Sequence, residues 1–292
     1  MSAATEFLAP ETVRAAVAAL AGDEDAVAVG GASAVSLMMK EGLLLPSRLV
    51  WLGRLPDWDR VESRPGRVHI GAGATLAALA RSQVVRQALP AVAAAAGVAA
   101  NPRVRAVATI GGHLAHADPR QDLPPVLLAA GASVAVVGPA GERQVSLDDL
   151  LVGFYETALE PGEIITAVEI PVAPGSRQVY ARFNPASADD YPTVGVAVHL
   201  VAAADGSVSG VRVAVGGCAA RAVLLPRAAA LLEGLRPSAA EMSALQASVE
   251  ADVPVAGDHR GSEAYKRRVA GVWARRAVEA ARAGGGPLLS RS

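Results

Sequence analysis

Val29-Gly30-Gly31-Ala32-Ser33 and Ala108-Thr109-Ile110-Gly111-Gly112-His113 decide how this chain is read. Each Gly-Gly pair follows an apolar run that reads as a strand and precedes a segment with few bulky side chains. Glycine has no Cβ, so successive N–H groups can close around an anion at van der Waals range. Either pair alone fits a tight turn chosen for φ > 0. The two together, about eighty residues apart, read as loops gripping one extended diphosphate. The second continues into Leu114-Ala115-His116-Ala117-Asp118-Pro119-Arg120-Gln121-Asp122, with carboxylates placed to reach a ribose hydroxyl. This is the pattern of dinucleotide binding.

Around these loops, strand and helix signals alternate up to about residue 172. Helices are expected over Glu11–Leu20, over Ser33–Glu41 with Ser33 as the cap, over Ser82–Ala96 stopping at Gly97, and over Leu123–Ala130. Strands are expected over Ala26–Val29, Arg48–Leu52, Val68–Ile70, Ser133–Val137 and Glu163–Ile170. Pro171-Val172-Ala173-Pro174-Gly175 reads as a linker. Beyond it, Gln178–Phe183, Val194–Ala203 and Ser207–Val215 alternate like antiparallel strands, with Asp205-Gly206 as a hairpin turn. Three helices follow, near Leu225–Leu235, Ala239–Ala251 and Ser262–Ala281. The fold class is α+β, with a small C-terminal domain of a three-stranded antiparallel sheet on helices.

Composition removes several function classes. The 292 residues carry 27 basic and 28 acidic side chains, a net charge of −1, and aromatics are 3%. No basic stripe or aromatic cluster points to nucleic acid. The residues 1–10 show no charged n-region followed by an apolar h-region, so no secretory signal is expected. The 52% apolar fraction is mostly Ala and Val, broken by Gly, Pro and Arg before any run reaches membrane-spanning length. Cys218 is the single cysteine. It excludes an internal disulfide and makes an iron–sulfur cluster or structural zinc on this chain untenable. A cytoplasmic setting fits.

Other motifs read more plainly. Gly71-x-Gly73 starts like a dinucleotide fingerprint, but Leu76 stands where a third Gly belongs. His113 and His116 are three apart near Asp118 and Asp122, yet a loop between Gly-Gly and Pro offers no helical face for a metal, and none is expected. No G-x-S-x-G is present, Cys218 reads as a small buried hydrophobe, and Asp148-Asp149 reads as a helix start.

Val104-Arg105-Ala106-Val107-Ala108-Thr109-Ile110-Gly111-Gly112-His113-Leu114-Ala115-His116-Ala117-Asp118-Pro119, followed by Asp122-Leu123-Pro124, strongly resembles the signature of one flavoprotein family. That family is the FAD-binding medium subunit of the molybdenum hydroxylases, which include aerobic carbon monoxide dehydrogenase and bacterial xanthine dehydrogenase. Gly153-Phe154-Tyr155-Glu156-Thr157-Ala158-Leu159, Pro161-Gly162-Glu163-Ile164-Ile165 and Gly30-Gly31-Ala32-Ser33 are similar to it in register. Gly216-Gly217-Cys218-Ala219-Ala220-Arg221-Ala222 and the stretch 260–280 resemble its C-terminal domain.

The resemblance implies a two-subdomain FAD-binding fold of the vanillyl-alcohol oxidase type over residues 1–173, divided at about 55, and a C-terminal domain over 177–285. It implies that Val29, Gly30, Gly31, Ala32, Ser33 and Ala34, with Ala108, Thr109, Gly111, Gly112 and His113, hold the FAD diphosphate, with His116 beside them. Asp122 would take an adenosine ribose hydroxyl. Ile165 and Thr166 would lie along the adenine or the ring, and Tyr191 near the isoalloxazine. His113 stands where the family has Asn, and Asn184 where it commonly has Lys near the flavin carbonyl, which weakens the case for NAD as oxidant. The implied function is electron relay. Electrons would come from [2Fe–2S] clusters on a small partner subunit, fed by a large molybdopterin subunit, and leave to NAD, oxygen or a quinone. The implied assembly is a dimer of heterotrimers. Two readings stand beside it: a single-chain FAD oxidase or reductase, and a non-catalytic dinucleotide-binding module.

Overall fold

The described residues build three main sheets, one after another, and a two-stranded ribbon of Leu151–Gly153 with Glu156–Thr157, and the dinucleotide loops fall where the first main sheet meets the helical cover of the second. A computed structural model describes residues 4–185, 187 and 190–289. The first sheet is parallel: Arg48–Trp51 lies between Glu6–Leu8 and Ala26–Val29. Its crossover helix Val13–Ala21 buries Ala16, Val17 and Leu20, and Thr12 caps it by accepting from the Ala15 N–H at 3.2 Å. The second helix, Ser33–Lys40, buries no residue fully. Ser33 does not cap it. Ala32 occupies the cap position in the left-handed region (φ 54°) with no side-chain bond, so Ser33 is already the first helical residue.

The second sheet is antiparallel throughout, in the order Val61–Arg64, Arg67–Gly71, Ile164–Pro171, Ser133–Gly138, Gly141–Ser146. The alternating strand and helix signals thus do not continue as a parallel sheet beyond residue 60. Between Gly71 and Ser133 the chain folds into six short helices. The single helix expected over Ser82–Ala96 is two, Gln83–Ala88 and Pro90–Val98. Pro90 has no N–H and bars the preceding residue from helical geometry, which puts Leu89 at φ −138°, ψ 59°. Gly97 does not end the second piece, which runs to Val98.

The third sheet contains the expected meander of Ser176–Phe183, Val194–Ala202 and Val208–Gly216. Two short edge strands widen it to five: Val223–Leu224 beside Val208–Gly216, and Leu288–Leu289 parallel to Ser176–Phe183. The sheet is buried on both faces, which explains why Val194–Ala202 is apolar on both sides apart from His199. Val179, Val196, Val198, Val213 and Val215 pack with the residues of Ala239–Asp252 and Glu263–Arg282. On the opposite face Tyr180, Ala197 and Ala214 join the core of the first 170 residues. The facing helix, Leu123–Ala130, is buried at every residue, and Arg212 ties down its end by donating to the carbonyls of Ala129 (2.7 Å) and Ala130 (3.3 Å).

One ion pair crosses this junction in a dry setting. Asp122 Oδ1 accepts from Tyr180 Oη at 2.6 Å and from Arg182 Nε at 2.8 Å, and both members of the Arg182–Asp122 pair are about 95% buried (side-chain exposure 5% and 4%). Burial pushes the Asp122 carboxyl upward while the Arg182 charge and both hydrogen bonds oppose it; burial also pushes the Tyr180 phenol well above its usual value. No described helix is long and apolar enough to cross a membrane.

Removing the guanidinium strands a buried carboxylate. Arg182→Leu is expected to cost about 3–5 kcal/mol of unfolding free energy, measured by urea denaturation. Adding Asp122→Asn in the same chain should recover part of that loss, because the uncompensated charge is gone.

Candidate functional site

The two Gly-Gly segments touch each other. A Cβ on Gly31 would lie 1.7 Å from the Val107 carbonyl oxygen, and one on Gly30 would lie 2.5 Å from Thr109 Oγ1. Gly111 is pressed onto Ala72, where a Cβ would meet Ala72 Cβ at 2.6 Å. None of Gly30, Gly31, Gly111 and Gly112 has positive φ. Left-handed geometry is therefore not what requires glycine here: Gly31 and Gly111 are crowded by neighbouring backbone, and Gly30 by the Thr109 and Trp58 side chains. Gly112 alone has room to give, its nearest neighbour being the Thr109 hydroxyl at 3.0 Å.

The loops differ in what they offer an anion. In the second, every N–H from Ile110 to His113 is already taken: by Ala74 O (2.9 Å), Ala72 O (2.8 Å), Thr109 Oγ1 (3.2 Å) and Thr109 O (2.8 Å) in turn. This stretch is the helix Ile110–His116, capped by Thr109, and not the open loop expected from sequence. In the first, no acceptor within the described chain meets the N–H groups of Gly31, Ala32, Ser33, Ala34 and Val35; the first intrahelical bond is Ser36 N–H to Ala32 O. Left-handed Ala32 turns the chain so that these donors open the helix Ser33–Lys40. Free N–H groups with the positive end of the helix dipole behind them make an anion site. The first loop therefore supplies the donors, and the second supplies a rigid wall.

Two cavities meet here. The narrow one, about 280 Å³, is lined by Val29, Gly30, Gly31, Ala32, Ser33, Ala34, Ala108, Thr109, Gly112, His113 and His116. The wide one, about 1010 Å³, shares Ser33, Ala34, Ala108, His113 and His116 with it and adds Asp122, Tyr155 and Tyr191. Tyr191 is 43% exposed and held from three elements. Its hydroxyl donates to Asp118 Oδ2 at 2.8 Å, its N–H donates to Asp190 Oδ1 at 2.7 Å, and Arg260 stands 5.9 Å over its ring while pairing with Asp190 at 2.7 Å. Tyr155, also left-handed (φ 55°), stacks beside His116 at 5.0 Å between ring centroids. Asp118 and desolvation hold both phenols protonated. Burial pushes the His113 imidazole down to about 4 and lowers that of His116, so both are neutral near pH 7.

Three expected site residues lie elsewhere. Ile165 and Thr166 belong to the central strand of the second sheet, where Thr166 Oγ1 donates to Ala135 O at 3.2 Å and Thr166 O accepts from Ala72 N–H at 3.0 Å. They support the wall without lining either cavity. Asn184 is 3% exposed and its Nδ2 donates to the carbonyls of Ser187 and Asp190 (3.2 Å for the latter). It holds Asp190, the neighbour of Tyr191. Asp122 reaches the wide cavity, but its Oδ1 is already engaged by Tyr180 and Arg182. Gly71 and Gly73 do not form a phosphate loop: their N–H groups already donate to Arg60 O (2.7 Å) and Trp58 O (2.6 Å), and that of Ala72 to Thr166 O (3.0 Å). Gln121 and Tyr155 line the wide cavity without standing out in the sequence.

Comparison with known proteins places this geometry. Residues 3–173 match the FAD binding domain in molybdopterin dehydrogenase, and residues 179–281 match the CO dehydrogenase flavoprotein C-terminal domain. The nicotine 6-hydroxylase medium subunit of Paenarthrobacter nicotinovorans is 34% identical over 263 residues, covering 90% of this chain and 92% of that one. The carbon monoxide dehydrogenase medium chain of Afipia carboxidovorans is 33% identical over 280 residues, covering 95% and 96%. Reconstituted CO dehydrogenase from Oligotropha carboxidovorans contains a chain that superimposes with a TM-score of 0.92 at 32% identity, covering 97% of this chain and 99% of that one. The chain belongs to the family of FAD-binding medium subunits of molybdenum hydroxylases. Its residues fit the cofactor: two closely apposed glycine segments, free N–H donors for a diphosphate, and a wide cavity with Tyr155 and Tyr191 in its walls.

Gly31→Ala forces a Cβ against backbone, whereas Gly112→Ala meets only a hydroxyl. Purified Gly31→Ala should retain under a tenth of the flavin per chain found in the parent, by absorbance after release, and Gly112→Ala more than half. Acid should also destabilise the fold. His113 and His199 are both pushed by burial from 6.5 to about 4. Each therefore binds its proton more readily in the unfolded chain, so stability is full above pH 6.5 and declines toward pH 4. The loss should approach about 3 kcal/mol per imidazole, and His199→Gln should flatten the pH dependence of Tm over that window.

Proposed function

We propose that this chain is the electron-relay subunit of a three-component molybdenum hydroxylase. Electrons reach it from [2Fe–2S] clusters on a small partner subunit, which take them from a large molybdopterin subunit where a small substrate is oxidised. The complex is a dimer of such heterotrimers. The observation that carries this reading is the direct apposition of the two glycine segments beside a row of unpaired N–H donors. Bound flavin supplies both one-electron and two-electron redox states, and so matches single-electron donors to a two-electron acceptor.

The chain's own residues bind, orient and screen. The N–H groups of Gly31–Val35 offset diphosphate charge without mobile cationic side chains. Thr109 caps the wall helix and fills the space over Gly30. Tyr155 and Tyr191 bound the outer end of the wide cavity. Asp118, Asp190 and Arg260 fix the Tyr191 ring, and Asn184 holds the Asp190 carbonyl beside it. No side chain has to act as acid, base or nucleophile.

Charge bears on the acceptor. The wide cavity is lined by Glu41, Asp118, Asp122 and Asp190, with no Lys or Arg among its lining residues. Arg182 and Arg260 lie nearby, each already paired with an aspartate. Around a flavin whose own diphosphate is held by the first loop, such a lining disfavours the diphosphate of an incoming NAD, whereas oxygen or a quinone enters without an electrostatic penalty. Purification under mild salt should bring down two further chains, one rich in iron. In that complex, reduction of a neutral quinone should exceed NAD+ reduction at least tenfold. Equal rates would remove the charge argument, and a chain that purifies with no partner and keeps its flavin would favour a single-chain oxidase.

A further inference from the structure

Gln121 is held in place with nothing to hold. It is 8% exposed, it lines both cavities, and its Oε1 is buried without a hydrogen-bond partner. Its backbone is fixed: the N–H donates to Asp118 O at 3.2 Å, while Asp118 is bound by Tyr191 and Asp122 by Tyr180 and Arg182. The side chain therefore stays at the junction of the narrow and wide cavities. His113 lines the same two cavities, and its Nε2 is likewise buried and unpartnered. A buried carboxamide end and a buried imidazole nitrogen without partners are costly unless something else completes them.

The chemistry of the pair limits what completes it. A carboxamide has donors and an acceptor, and a neutral imidazole has one of each. A diphosphate asks only for donors, and the first loop already supplies them. A hydroxyl both donates and accepts, which matches Gln121 and His113 together. The place matches as well: the junction lies between the N–H row and the aromatic walls, where a hydroxyl-bearing chain would link the diphosphate to a stacked ring system. We propose that Gln121, with His113, reads the ribityl hydroxyls of the bound dinucleotide and so selects a flavin over a nucleotide lacking that chain. This rests on the flavin reading given above.

The test measures affinity, not turnover. Flavin fluorescence quenching is followed for the full chain, with the subunits that copurify with it, after the flavin has been stripped. The parent should bind FAD about tenfold more tightly than an analogue whose ribityl chain carries no hydroxyls. Gln121→Leu should lose most of that tenfold for FAD, and with it most of the preference between the two, His113 keeping the remainder. ADP, which has the adenosine ribose and diphosphate but no ribityl chain, should compete equally well with both proteins. Unchanged FAD affinity in Gln121→Leu, or a parent indifferent to the ribityl hydroxyls, overturns the proposal. Equal loss for ADP also overturns it, by assigning the pair to the adenosine ribose. A parent that binds no flavin at all would instead overturn the flavin reading itself.

Discussion

The structure depends on an absence of space at Gly31, where the Val107 carbonyl lies within 1.7 Å of where a Cβ would be. That approach brings the end of the first sheet against the helical cover of the second. It leaves the two segments sharing one surface. Because backbone meets backbone, no side-chain repacking can relieve a substitution there. The same approach explains the division of labour between the loops. Packing against Ala72 and Ala74, together with the Thr109 cap, consumes the second loop's N–H groups, and the first loop, facing the cavity, keeps its own.

The C-terminal third closes the site from the other side. Its sheet lays Tyr180 and Arg182 onto Asp122, and Tyr191 reaches Asp118. Further out, Arg120 approaches Asp258 at 3.9 Å, and Asp258 also pairs with the buried Lys266 at 2.7 Å. The short acidic stretch from Asp118 to Asp122 is thus bound by the C-terminal domain at each end. It serves at once as cavity wall and as domain junction.

Much of this was legible in the sequence, for stated physical reasons. Hydrophobic periodicity located Leu123–Ala130 and the three-strand meander, since both are regular and buried. The glycine pairs located the loops. What sequence did not yield depends on non-local contact. That Gly30, Gly31 and Gly111 serve close approach is visible only when Val107, Thr109 and Ala72 are seen beside them. The two-residue edge strands are too short to show periodicity. Ile165, Thr166 and Asn184 were placed at the site by resemblance, but the described structure gives their polar groups to Ala135, Ala72, Ser187 and Asp190. Gln121 carried no signal, because an unpartnered carboxamide becomes visible only once its surroundings are known.

The central claim is that the apposed loops hold a flavin dinucleotide. The most direct measurement is the visible spectrum of the chain purified with its copurifying subunits, with the bound flavin released and identified by mass. The account predicts FAD at close to one per chain. A folded, colourless chain that takes up no added FAD would contradict it.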